Sequence, residues 1–223
     1  MPMFPTGLPP RPNLKVEQAL WQGGVQRIAG IDEAGRGALA GPVAVGVLVL
    51  PPDGQLTTHL QGVRDSKQMS PKARVYWADE IKACALEWAV GFAQPSEIDC
   101  YGIVPAVHLA SERALQSLTV PPEYLLIDYF TLPENDLPQT ALVKGDNISL
   151  SIAGAAVLAK TTRDALMENL DQDFPGYGFA AHKGYGTFAH RTAIARLGTC
   201  AIHRTSFSVA LPDDSTPDSP DKV

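Results

Sequence analysis

The sequence is short of cysteine, of long apolar runs and of basic charge, and each shortage excludes something. Its three cysteines, Cys84, Cys100 and Cys200, are odd in number and widely spaced. They suit neither a disulfide framework nor a zinc site, which points to a reducing compartment and a cytoplasmic protein. No apolar stretch approaches the roughly 18 to 20 residues of a membrane span. The longest, Ala38 to Leu50, is interrupted by Gly41 and Pro42 and reads as a turn followed by a buried strand. The first residues have no basic start followed by an apolar run, so no secretory signal is expected. The histidines lack His-x-x-x-His spacing, and there is neither a Gly-x-Ser-x-Gly elbow nor a catalytic-cysteine context. Lys and Arg total 18 against 24 Asp and Glu, a formal net charge of -6. That balance argues against a protein that coats nucleic acid nonspecifically. Locally the charge divides. Asp213, Asp214, Asp218 and Asp221 gather in the tail, while Lys160, Arg163, Lys183, Arg191, Arg196 and Arg204 crowd the segment before it. A basic face of that kind would make binding selective rather than adhesive.

What is present describes one domain over residues 14–211. Proline-rich residues 1–13 and the Asp, Ser and Pro-rich residues 212–223 are expected to be disordered. Apolar periodicity predicts helices over 14–22, 70–86, 148–171 and 187–197, the second with Ser70 as N-cap and Pro71 at the first helical position. A further helical stretch runs from Pro95 to Leu118 and is expected to weaken at Pro105. Strands are predicted over 27–32, 43–50, 87–92, 124–129 and 141–144. Three strands, then helices alternating with two more, give an α/β fold with a mixed sheet flanked by helices.

The densest stretch is Ile28 to Pro42, where Asp32 and Glu33 precede Gly35-Arg36-Gly37. Alone, two adjacent carboxylates are as readily a solvated edge or ion-pair partners as a site. Asp128 ends the apolar run Leu125-Leu126-Ile127, and Asp146 ends another predicted strand. If these strands are neighbours, four acids converge and raise one another's pKa values until a cation neutralises them. All-oxygen ligands select hard ions such as magnesium or manganese, and a pair of them suits phosphodiester hydrolysis. Gly35 to Ala40 also fits the loose G-x-G-x-x-A dinucleotide fingerprint, but a valine-rich strand follows where that motif requires a helix. Tyr185, framed by glycines in a basic loop with Lys183, is suited to stacking on a sugar or base. Tyr177 reads instead as packing for that loop. Lys67, in Asp65-Ser66-Lys67, is either a phosphate contact or a solvated lysine. Asp164 reads as an ion-pair partner of Lys160.

These residues together resemble a known family. Gly30 to Pro42, Asp65-Ser66-Lys67, Leu142 to Asp146, Arg163-Asp164, His182 to Thr187 and Ile202 to Phe207 stand in the order found in bacterial ribonuclease HII, the type 2 ribonuclease H family. The resemblance covers Ile28 to Val209. It implies a ribonuclease H-like fold: a five-stranded mixed sheet flanked by helices, with a C-terminal helical segment. It implies an endoribonuclease that cuts the RNA strand of RNA–DNA hybrids and also cuts 5′ of single ribonucleotides embedded in duplex DNA. Two metal ions, magnesium or manganese, would leave 3′-hydroxyl and 5′-phosphate ends. Asp32, Glu33, Asp128 and Asp146 correspond to the catalytic, metal-binding acids. Gly35, Arg36, Gly37 and Tyr185 correspond to the readers of the ribose 2′-hydroxyl, with Lys67 and Lys183 as further substrate contacts. A monomer is expected, and no glutamine-plus-paired-aromatic motif for a sliding clamp is visible. One departure stands out: the family usually has glycine after the third acid, whereas Tyr129 and Phe130 follow Asp128.

Overall fold

The strand that carries Asp32 and Glu33 lies at the centre of the sheet. The structure is a computed structural model and describes residues 9–211. The disorder expected of 1–8 and of the tail from 212 lies outside the described residues. The strands are β1 Ile28–Ala34, β2 Val43–Val49, β3 Glu87–Ala93, β4 Tyr124–Asp128 and β5 Gln139–Leu142, in the spatial order β3-β2-β1-β4-β5. The β2 strand is antiparallel to both β1 and β3, whereas β1, β4 and β5 run parallel. The expected mixed five-stranded sheet is therefore present.

Among the described residues eight α-helices surround it: α1 Lys15–Gln22, α2 Leu56–His59, α3 Pro71–Cys84, α4 Pro95–Tyr101, α5 Ile103–Gln116, α6 Leu150–Asp173, α7 Phe179–His182 and α8 Phe188–Leu197. Ile98, Ala106, Val107 and Ala110 of α4 and α5 pack with Val45 and Val47 on one face of the sheet. On the other face, Ala78 and Ile81 of α3 and Ala153, Val157 and Leu158 of α6 pack with Leu48. Cover on both faces explains why β2 is an unbroken apolar run rather than an alternating one. Ser70 caps α3, its Oγ accepting from the Ala73 N–H at 3.3 Å, with Pro71 in the first turn.

Helix α6 lies directly on the sheet. A Cβ added at Gly30 would sit 2.2 Å from the Ser151 backbone, and one at Gly46 2.2 Å from the Ala155 carbonyl oxygen. Ala153, Gly154, Ala155 and Ala156 keep this part of α6 slim, and the glycines in the strands complete the approach. The first turn of α6 is held by Glu17 of α1, a buried carboxylate that accepts from Ser149 Oγ at 2.6 Å, Ser151 Oγ at 2.7 Å and Ser151 N at 3.0 Å.

Several boundaries differ from expectation. The β5 strand ends at Leu142, so Asp146 does not end a strand but stands in the turn after it. The β1 strand continues to Ala34, because Asp32, Glu33 and Ala34 pair in register with Gly46, Val45 and Ala44. The two carboxylates thus stand within the strand and not at its end. The long helical stretch breaks at Gly102, with φ +86°, rather than bending at Pro105. Pro105 sits in the first turn of α5, where a missing N–H costs nothing. The ordered chain also starts earlier than residue 14: Asn13 N donates to the Ile148 oxygen at 3.1 Å, and Leu150 N to the Asn13 oxygen at 2.9 Å.

Candidate active site

Three parallel strands bring the acids together at their C-terminal ends. Ile31 of β1 pairs with Ile127 of β4, so the next residues, Asp32 and Asp128, stand abreast. Asp128 in turn pairs with Leu142, the last residue of β5. A tight turn over Gly145–Asn147 then presents Asp146, and the Gly145 N–H donates to Asp128 Oδ1 at 2.6 Å. Crevices outside the carboxyl ends of parallel strands are where open α/β sheets bind ligands.

The electrostatics are those of acids wanting a cation. Asp32 is 7% exposed. Its carboxyl is pushed well above the usual range, first by burial and then by the charges of Glu33, Asp128 and Asp146. Asp128 is pushed up to about 6 by burial, with Asp146 and Glu33 adding to it against the Gly145 hydrogen bond. Burial also raises Glu33, opposed by Arg36 at 3.4 Å. Asp146 is raised by burial and by Asp65. The positive charge of Lys67 opposes the rise at Glu33, Asp128 and Asp146.

An all-carboxylate set under mutual repulsion fits a hard divalent cation in chemistry and charge. Each acid also has an N–H partner of its own. The Glu33 N–H donates to Asp32 Oδ1 at 2.6 Å, and Asn147 Nδ2 to Asp146 Oδ1 at 2.7 Å. No group of three such side chains among the described residues has an arrangement that holds an ion as it stands.

Comparison with known proteins decides the family. A sequence model described as Ribonuclease HII matches residues 29–210. The ribonuclease HII of Syntrophotalea carbinolica is 50% identical over 194 residues, covering 87% of this chain and 91% of that protein. An Anaeromyxobacter ribonuclease HII is also 50% identical over 194 residues, covering 87% of this chain but 60% of its own length. The chain belongs to the ribonuclease HII family. Among solved structures, the ribonuclease HII of Archaeoglobus fulgidus, determined in complex with PCNA, superposes with a TM-score of 0.68 at 25% identity, covering 84% of this chain and 98% of that one. Ribonuclease H2 of Pyrococcus horikoshii gives 0.65 at 26% identity, covering 81% and 93%. As a ribonuclease HII the chain is a divalent-metal-dependent endoribonuclease that acts on RNA–DNA hybrids and embedded ribonucleotides. No helix among the described residues is long and apolar enough to cross a membrane.

In this ribonuclease HII a groove of about 970 Å³ opens beside the acids, lined among others by Glu33, Arg36, Lys67, Lys160 and Tyr185. Gly37 is open, with nothing within 4 Å of where a Cβ would stand. Gly35 serves a different end from the ligand clearance its type suggests: its space is filled by the Arg163 side chain, whose Nε lies 2.0 Å from a notional Cβ. Tyr185 lies with Lys160 Nζ 5.0 Å and Arg163 Cζ 5.5 Å from its ring centre. Its hydroxyl makes no hydrogen bond among the described residues. The Lys183 ammonium is committed to Glu168 at 2.8 Å and to the Ala180 carbonyl.

The expected basic face is thinner than its sequence. Arg163 and Arg204 are buried, and Lys160 pairs with Asp164 at 2.9 Å. Asp164, taken up also by Arg74 at 3.3 Å, is the ion-pair partner expected of it. Tyr177 is buried and donates to the Gly198 oxygen at 2.9 Å, as packing for the loop. The aromatic pair after Asp128 splits. Phe130 turns inward to stack on His108 at 5.8 Å, whereas Tyr129 is 68% exposed and holds φ +66°, a region glycine occupies without strain. Sequence reading gave no role to His190, which the structure buries against His203 beneath the Tyr185 loop. Its only sequence signal is an apolar helix position.

Proposed function

We propose that Asp32, Glu33, Asp128 and Asp146 form the catalytic carboxylate centre of this ribonuclease HII, holding magnesium or manganese as one or two ions. The observation that carries this reading is the convergence of Asp32 in β1, Asp128 at the end of the neighbouring parallel β4 and Asp146 in the turn after β5, where each is driven toward its neutral form. A divalent ion bound there supplies an acidified water and a counter-charge for the departing 3′-oxygen. The chain's own residues do the rest. Four carboxylates bind and orient. Arg36 is weakly paired with Glu33 and 40% exposed at its side chain, free to turn to the phosphate next to the cut. Gly37 lets the substrate approach the loop backbone, and Tyr185 offers a ring to the sugar and a hydroxyl to the 2′-oxygen. Lys67 balances the acids and faces the same phosphate; Lys183 acts through its loop as long as Glu168 holds it. The cut falls 5′ of the ribonucleotide and leaves 3′-hydroxyl and 5′-phosphate ends.

The test is a cleavage assay on a DNA duplex carrying one ribonucleotide, run with magnesium, manganese and chelator beside an all-DNA control. One metal-dependent cut 5′ of the ribonucleotide, absent from the control, is expected. Cleavage of the control, or a cut that survives the chelator, would sink the reading.

A further inference from the structure

Arg163 and Arg204 are the two largest side chains buried almost completely among the described residues. Neither has a carboxylate within ion-pair distance among the described residues. Burying a guanidinium without an anion is costly, and an apolar plug would fill the space at lower cost. Their partners are instead backbone oxygens. Arg204 donates from Nε to Gly41 O at 2.9 Å, from Nη1 to Arg36 O at 2.9 Å and from Nη2 to Gly35 O at 2.7 Å. Arg163 donates from Nε to Pro42 O at 2.8 Å, from Nη2 to Ala40 O at 3.1 Å and from Nη1 to Lys183 O at 2.9 Å. Five carbonyls of the Gly35–Pro42 loop are thus drawn inward by two rigid forks. A lysine has no planar fork to satisfy three diverging acceptors at once.

A trans peptide carries its C=O and the next N–H on opposite sides. Drawing the Gly35 and Arg36 oxygens onto Arg204 therefore turns the Arg36 and Gly37 N–H groups away from the interior. The amides of residues 38–41 are spent internally. Ala38 N donates to Gly35 O, Leu39 N and Ala40 N to Gly184 O, and Gly41 N to Ile202 O. Arg36 N and Gly37 N have no partner among the described residues, and both residues line the groove beside the acids. Through Lys183 O, Arg163 ties this loop to the one that bears Tyr185 and lies under the tyrosine ring.

We propose that Arg204 and Arg163 are positioning residues for ribose recognition: Arg204 aims the Arg36 and Gly37 amides into the groove, and Arg163 fixes Tyr185 relative to them. The inference rests on the ribonucleotide-reading site proposed above. Its chemistry is backbone donation to an oxygen-rich ligand, a ribose hydroxyl with its phosphate, rather than a charge offered directly by either arginine.

The decisive variant is Arg204→Lys, which keeps the charge and loses the fork, assayed at a temperature where circular dichroism shows it folded. KM for a duplex with one ribonucleotide should rise about tenfold, while the Ki of an all-DNA duplex as competitor stays within about twofold. A structural lesion would lower the active fraction, and so kcat, without separating the two duplexes. Equal rises in KM and Ki, or a fall in kcat alone, would overturn the proposal. If that variant does not fold, hydrogen exchange on the parent protein decides. The Arg36 and Gly37 amides should exchange fast when free and slow with the ribonucleotide duplex bound in chelator, beside slow Leu39 and Gly41 amides throughout. Protection of Arg36 and Gly37 in the free protein, or no gain on binding, would refute it. Absence of cleavage by the parent enzyme would instead strike the proposed site, before any variant is compared.

Discussion

His190 and His203 meet nitrogen to nitrogen, Nε2 to Nε2 at 3.1 Å, in the interior beneath the Tyr185 loop. Their other contacts fix who holds the proton. His190 Nδ1 lies 2.9 Å from the Tyr185 carbonyl oxygen and must donate, so its Nε2 accepts. The Cys200 N–H donates to His203 Nδ1 at 2.9 Å, leaving His203 Nε2 as the donor. The relay is neutral and one-directional, from Cys200 through both rings to the backbone of Tyr185, with His182 stacked at 4.3 Å on His190.

Acid should break that relay. His190 is lowered from 6.5 to about 4, chiefly by burial and then by the neighbouring histidines. Between those values the unfolded chain binds the extra proton and the folded chain does not, so stability falls as pH drops through that window. The loss is on the order of 3 kcal/mol. Urea unfolding at pH 7 and pH 4.5 measures it, and His190→Asn, whose amide can still donate to Tyr185 O, should lose less. Equal losses in both proteins would clear the pair of this role.

Removing a charge from the acid cluster should stabilise the metal-free fold. The Asp32 carboxyl is raised by burial and by three like charges, so its ionised form works against folding near neutrality. Asp32→Asn keeps an oxygen for the Glu33 N–H. It should gain about 1 kcal/mol in chelator while losing at least about a thousandfold in cleavage rate. Thermal unfolding and single-turnover cleavage read the two effects. A variant that cleaves at the parent's rate would remove Asp32 from the site.

Divalent ions should act as stabilisers as well as cofactors. At a concentration about 100 times its Kd, an ion bound only by the folded state adds about 2.7 kcal/mol. The melting temperature of the parent should therefore climb with manganese and fall back with chelator. The rise should shrink in Asp128→Asn. A rise of the same size in that variant would locate the ion elsewhere.

Tyr185→Ala should cost about ten- to a hundredfold in kcat/KM on a single embedded ribonucleotide, the scale of one lost stacking contact. The fold should tolerate it, because the ring is only partly buried and its hydroxyl bonds to nothing within the described chain. Unchanged kcat/KM would return Tyr185 to loop packing.

Tyr129 offers a backbone test beside the acids. A non-glycine residue at φ +66° is strained by about 1–2 kcal/mol, part of which glycine recovers. Tyr129→Gly should stabilise the protein by about 1 kcal/mol after glycine's own entropy cost. Chemical denaturation with and without manganese checks this, and a destabilised variant would show that the exposed ring makes contacts worth more than the strain.

Local chemistry made much of this molecule readable from its sequence. Ser70-Pro71 announced α3, the valine run announced β2, and the apolar run before Asp128 announced β4. Other features were hidden for physical reasons. A proline is visible as a breaker wherever it stands, yet Pro105 is harmless in a first turn and Gly102 makes the break. Arg163 and Arg204 look like surface charge, because nothing local reveals that carbonyls from residues more than a hundred positions away will surround them. His190 and His203 are thirteen residues apart on different elements, so only the fold makes them a pair. Glu33 and Ala34 joined β1 because β2 was there to receive them.

The absence of side chains at Gly30 and Gly46 acts as a gauge. Carboxylates sit on the sheet, and the guanidinium of Arg163 hangs from α6, so the offset between them is the thickness of that contact. Two hydrogen atoms set it. A methyl at either glycine would wedge the helix outward, and every atom that α6 carries to the groove would shift with it.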